Sequence, residues 1–268
     1  SGVAAADKTY DGTVVASVSG GSLNGLIAGD VVAVSSSGAF NDKNAGLNKS
    51  VNLVNTFSGI DRTNYFITDQ ASTVASITPK SISLSGVTAS NKVYDGTTSA
   101  AVSGGALSGV IAGDVVTVSS SGAFADKNAG TNKQVSLASI FGGIDANNYA
   151  VTGQVSTTAS IAQKAVTLTG VTAANKTYDG TTSASLTGGS LSGLIAGDVV
   201  TVASNGAFAD KNVGVNKLVS LASAIGGTDA SNYAVTGQVS TIASIAKKVV
   251  ALAGIVAADK VYDGSTSA

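Results

Sequence analysis

The chain has 268 residues with 15 basic and 16 acidic side chains, every acid an Asp, and it contains no His, Cys, Met or Trp. That inventory leaves no His-based triad, thiol nucleophile, disulfide or familiar zinc site, and its balanced charge offers no basic patch for nucleic acid and no polybasic tract for anionic lipid. With 44% hydrophobic residues the chain is too apolar for disorder, yet it has no unbroken apolar run of the length a membrane helix needs, so a folded chain without membrane insertion is expected.

Internal repetition organises everything else. Tyr10-Asp11-Gly12 recurs as Tyr94-Asp95-Gly96, as Tyr178-Asp179-Gly180 and again from Tyr262, each 84 residues after the last. Joints placed after Lys80, Lys164 and Lys248 divide the chain into repeat 1 (1–80), repeat 2 (81–164), repeat 3 (165–248) and the opening of a fourth (249–268). Ser1 aligns with Ser85, so repeat 1 lacks the strand that reads Ser81-Ile-Ser-Leu84, and the simplest expectation is a window on a longer array.

Within repeat 2 the hydrophobic period is two. Ile82 and Leu84 alternate with serines, Val135 and Leu137 flank Ser136, and Val155, Thr157, Ala159 and Ile161 alternate with Ser and Thr. Between the runs stand Asp95-Gly96, Gly104-Gly105, Ser121-Gly122, Ala129-Gly130 and Gly142-Gly143, pairs suited to hairpins and bulges. The pattern predicts about seven strands, near 81–88, 91–94, 98–103, 114–120, 132–140, 148–153 and 155–162.

One segment is more specific. Asp145-Ala-Asn-Asn-Tyr149-Ala-Val151 has the layout of the tyrosine corner of immunoglobulin-like sandwiches, repeated at Asp61, Tyr65 and Ile67 and at Asp229, Tyr233 and Val235. A tyrosine there is expected to bury its ring and turn its hydroxyl to backbone groups of the preceding loop. The expected fold is all-β, tandem Ig-like sandwiches of 84 residues forming an elongated rod, with a β-grasp-like unit as the alternative.

The combination Asn91-Lys-Val-Tyr-Asp-Gly-Thr-Thr98, Ala112-Gly-Asp114, Gly122-Ala-Phe-Ala-Asp-Lys-Asn-Ala-Gly130, Asp145 to Tyr149 and Ala159-Ser-Ile161 resembles the YDG/MBG-type tandem repeats of filamentous-haemagglutinin-like adhesins and other large bacterial exoproteins. The resemblance runs through every copy. It implies a secreted or cell-surface stalk whose binding activity sits elsewhere. Joints in that family often read Ile-Thr-Pro-Lys, as Ile77 to Lys80 does, whereas Ala162-Gln163 and Ala246-Lys247 depart from it.

Each candidate chemistry has an ordinary counterpart. The Tyr-Asp-Gly motif reads as a packed tyrosine on a tight turn before it reads as a ligand site. Asp30, Asp114 and Asp198 precede Val-Val, and Asp42, Asp126 and Asp210 precede Lys-Asn; calcium at a domain joint stays open, but no DxDxDG-like cluster exists and turn or strand-start Asp is the plainer reading. A Lys–Asn isopeptide crosslink would need a buried, deprotonated Lys beside a buried acid. The scattered Asp residues present no preferred pair for glycosidase chemistry, and no P-loop is present, so no catalytic, cofactor or metal residue is assigned and no enzyme is expected.

Only Ala162, Gln163 and Lys164 separate the last strand of repeat 2 from the next, too few for a flexible tether. The partners expected are therefore neighbouring repeats of the same chain, with self-association into filaments or matrix. The first functional expectation is a structural stalk. Carbohydrate or surface-ligand binding by the repeats is a second, disfavoured by 5% aromatics and no Trp. A third is an extracellular polymer in which residues 249–256 of one copy complete the first repeat of another.

Overall fold

The computed structural model describes residues 2–267. Its regular structure is β throughout, apart from single-turn 3-10 segments at Arg62–Asn64, Ala146–Asn148 and Ala230–Asn232. No α-helix occurs among the described residues, which removes the element that a β-grasp unit lays across its sheet. By contacts the chain divides into two compact units, one reaching Lys92 and resuming over Thr97–Ile161, the other taking Val93–Gly96 with the chain from Ala162 onward.

Repeat 2 shows the pattern in full. A three-stranded sheet centres on Lys80–Ala89, which pairs antiparallel with Val102–Ser108 and parallel with Tyr149–Thr152. A five-stranded sheet centres on the 13-residue strand Gly130–Gly142, flanked by Thr117–Phe124 and Ser156–Ala162. Two-residue strands close its edges, so that the sheets of each repeat come close to a barrel. Sheets of the same order recur in repeat 3, and the five-stranded one in repeat 1.

Alternation explains the core. Ile82, Leu84, Val135, Ala159 and Ile161 point inward and are buried, with Val135 fully so. The inward phase then slips by one, from Leu84 to Val87, across Gly86 at φ +79°, while the pairing with Val102–Ser108 keeps one register on both sides of it. Gly104, on the paired strand, stands at φ +75°, where an added Cβ would come within 2.7 Å of the Gly86 carbonyl oxygen.

The strands differ from the sequence expectation where local chemistry competes with pairing. The run expected at 98–103 is two strands in different sheets, Ser99–Ala100 and Val102–Ser108, and Gly104-Gly105 lies at positive φ inside the second without shifting its register. Ser121-Gly122 sits inside Thr117–Phe124: Gly122 has no positive φ and is there because Val102 and Val135 pack against its bare Cα. Strand 114–120 starts late, at Thr117, because Asp114 to Val116 are held as a loop by side chains.

A Cβ at Gly122 would lie 2.6 Å from Val102 Cγ1 and 3.0 Å from Val135 Cγ1. Gly122→Ala is therefore expected to lower stability by about 1–3 kcal/mol in urea denaturation. Gly153→Ala, where the nearest heavy atom is 3.9 Å away, should stay within about 0.5 kcal/mol.

Candidate functional site

The Tyr-Asp-Gly turn separates into two jobs. Asp11 builds the turn: its Oδ1 accepts from Thr13 N–H at 2.9 Å, from Thr13 Oγ1 at 2.8 Å and from Lys8 Nζ at 2.8 Å. Lys8 Nζ also donates to the Thr13 and Val15 carbonyls and lies 5.5 Å from the centre of the Phe40 ring. Partial burial raises the Asp11 pKa, but the bonds from Lys8 and Thr13 outweigh it and hold the carboxyl down at about 2. Asp179 is held at about 2 by the same partners, Lys176 first and then Thr181. Gly12 takes φ +78°, which a side chain would strain, and its bare Cα faces Ile111, whose Cγ2 an added Cβ would meet at 3.4 Å.

Tyr10 leaves its own repeat. It is 1% exposed, and its hydroxyl donates at 2.8 Å to Oδ2 of Asp114, in repeat 2. The same oxygen accepts from the Tyr149 hydroxyl at 2.6 Å, and Oδ1 accepts from Lys43 Nζ at 2.9 Å. Tyr10 and Tyr149 pack edge to face with ring centres 5.4 Å apart. Lys43 reaches Asp145 at 3.4 Å as well, Ala45 N–H donates to Asn148 Oδ1 at 2.8 Å, and Asn148 Nδ2 donates to Asn44 Oδ1 at 3.2 Å. The Asp-Lys-Asn loop and the Tyr-Asp-Gly turn of repeat 1 thus close together on one carboxylate of repeat 2. Only Pro79 separates the last strand of repeat 1 from the first of repeat 2.

The receiving loop is fixed from within repeat 2. Asp145 Oδ2 accepts from Val115 N–H at 2.9 Å, and the Tyr149 hydroxyl accepts from Ile111 N–H at 3.0 Å. This corrects the tyrosine-corner expectation: Tyr149 bonds the 111–114 loop, more than 30 residues upstream, and not the loop that precedes it. The geometry recurs in repeat 1, where Tyr65 binds Ile27 N–H and Asp30 while Asp61 binds Val31 N–H. In unit 2, Tyr233 binds Ile195 N–H and Asp198, Asp229 binds Val199 N–H, and Tyr94 donates to Asp198 Oδ2 at 2.8 Å with its ring 5.4 Å from Tyr233.

The electrostatics favour charged Asp and Lys with neutral tyrosines. Burial raises Asp114, but hydrogen bonds from Lys43, Tyr149 and Tyr10 outweigh it and the net shift is downward. Lys43 is raised, chiefly by its bond to Asp114. Burial first and Asp114 second push Tyr149 up to about 12, and the same causes raise Tyr10. An amide crosslink needs a neutral amine, and this pairing holds the ammonium form instead.

Asp42, weighed above for calcium, accepts from Asn44 N–H and Lys49 Nζ, and Asp126 and Asp210 are bonded alike to Asn128 with Lys133 and to Asn212 with Lys217. Among the described residues no cluster of three acids is placed to hold a metal. The sequence reading singled out Asp114 and the Asp-Lys-Asn loop without bringing them together, and it passed over Asn148 and Ile111. The available signal was co-recurrence at a fixed spacing.

A family model described as the YDG domain matches residues 1–73, 78–159 and 162–241. The chain belongs to the YDG domain family. No curated protein and no solved structure matches it. In this YDG-domain chain the signature tyrosine is a contact between repeats, at Tyr10, while Asp-Gly shapes the turn that carries it.

Tyr10→Phe removes one donor from a buried carboxylate and is expected to cost about 1–2 kcal/mol in the melting of the full chain. Because the folded pKa of Asp114 lies below its unfolded value, its contribution is present above about pH 4 and lost as acid protonates it. Tyr149, raised to about 12, contributes fully below about pH 10 and loses that contribution as pH rises through 12. The Tyr10→Phe penalty should therefore be constant across the middle of the pH range and shrink below pH 4 in pH-dependent melts.

Proposed function

We propose that this chain is a structural segment of a secreted bacterial adhesin or extracellular matrix protein, in which Tyr-Asp-Gly turns lock repeats end to end into a stalk. The observation that carries the reading is the Asp114 carboxylate, which takes a tyrosine and a lysine from one repeat and a tyrosine from the next. A linker of one residue and a glycine at the closest approach agree with a joint selected for fixed geometry. Within this reading each repeat is an Ig-like sandwich, supported by its short strands divided between sheets of five and three. The surface location rests on family resemblance.

Small-angle scattering on the full chain tests the stalk. The expected maximum dimension is about three times the 35–45 Å that the strand lengths give each repeat. A radius of gyration near 18 Å, roughly the globular value for this length, would sink the reading. Tyr10→Ala combined with Asp114→Ala should broaden the distance distribution while leaving far-UV circular dichroism unchanged.

A further inference from the structure

The space between the two sheets of a repeat is closed differently in repeats 2 and 3. In repeat 2 the strand Gly130–Gly142 carries Leu137, Ser139 and Phe141 on the side of buried Val135, facing the three-stranded sheet. The Phe141 ring reaches across to the end of the strand Tyr149–Thr152: a Cβ placed on Gly153 would stand 3.9 Å from its Cζ. Position 225, one repeat length later, is Ile, which has no ring to reach across. There the strand Tyr233–Gly237 runs on to pair Gly237 with Leu168 at φ +109°. A crevice of about 260 Å³ stays open, lined by Leu168, Leu221, Ser223 and residues 235–239. In repeat 1 the position is again Phe, and Phe57 lines a remnant of about 20 Å³.

Every lining residue belongs to repeat 3, and none corresponds to a residue whose bond joins repeats 1 and 2. The walls carry no charge. Gln238 spends its amide on the Val171 backbone, accepting from the N–H at 2.9 Å and donating to the carbonyl at 2.6 Å, and Ser223 shares a hydrogen bond with Ser204 at 2.7 Å. A charged ligand would lose its hydration there without compensation, whereas a neutral ring gains the burial that Phe141 has in repeat 2. The volume exceeds the roughly 150 Å³ that admits benzene and falls short of the pockets that hold drug-sized ligands. One ring with a short substituent fits.

We infer that the crevice between the sheets of repeat 3 binds a neutral, single-ring aromatic small molecule, whose ring takes the place that Phe141 takes in repeat 2. The ligand class follows from the sister copies, in which a benzyl side chain stands at this position between walls of the same kind: Leu84, Leu137, Ser139 and residues 151–155 are the counterparts in repeat 2. A bound ring bridges the two sheets and stabilises repeat 3 by linkage. The inference depends on the interior of one repeat and on neither the joint nor the stalk.

The test is a titration of benzyl alcohol into the full chain, followed by amide-resolved NMR. Saturable shifts are expected at Ser223 and residues 235–239, with none at the counterparts Ser139 and residues 151–155. Ile225→Phe, which restores the ring, should weaken binding at least tenfold. Phe141→Ile, which removes the ring from repeat 2, should add a second set of saturable shifts at residues 151–155 and keeps the test decisive if Ile225→Phe fails to fold. A native chain without saturable shifts at residues 235–239, or with equal shifts in repeats 2 and 3, overturns the inference. So does an Ile225→Phe chain of native affinity, or a Phe141→Ile chain that gains no second site.

Discussion

One buried carboxylate organises the contact between repeats. Asp114 is 4% exposed at its side chain, and it would be costly there without partners. Two tyrosine hydroxyls and a lysine ammonium supply them, so removal of any one leaves a desolvated acceptor and not merely a missing contact. Since two of those three donors belong to the other repeat, the same term that satisfies Asp114 also couples the repeats. The Lys43 pair is itself half-exposed and worth little in isolation; its weight comes from the network around it.

The glycine and the aspartate of the motif serve that tyrosine. Asp11 folds the turn by gathering Thr13 and Lys8, and the lysine is pinned in turn by two carbonyls and the Phe40 ring. Gly12 lets the backbone approach Ile111 closely enough for the hydroxyl to reach its target. Both requirements repeat in unit 2, where Gly96 faces Ile195 and Tyr94 reaches Asp198. A turn of this kind can be copied in tandem without redesign, which fits a repeat of constant length.

Much of the fold was legible because it depends on local pattern. The alternation of Ile82 with Leu84, and of Ala159 with Ile161, placed strands that the structure contains. Errors arose where one glycine has two uses: Gly104 holds a positive φ within a strand and Gly122 makes room inside one, yet both read as turn signals. The site was less legible than the fold. Tyr10 and Asp114 are 104 residues apart and belong to different copies, and a repeated motif does not tell whether its copies satisfy themselves or each other. Tyr149 was correctly chosen as a buried tyrosine, but its hydroxyl partner depends on where the 111–114 loop lies, which periodicity cannot specify.

The Ala45 amide reports most directly on whether the joint is closed in solution, because its hydrogen bond to Asn148 crosses from repeat 1 to repeat 2. Hydrogen exchange at Ala45 should be compared with exchange at Phe40, whose amide bonds Val14 inside repeat 1. A closed joint gives protection at both sites in the native chain and a selective loss at Ala45 in Asp114→Asn. An Ala45 amide that exchanges freely in the native chain, or is equally protected in both proteins, would contradict it.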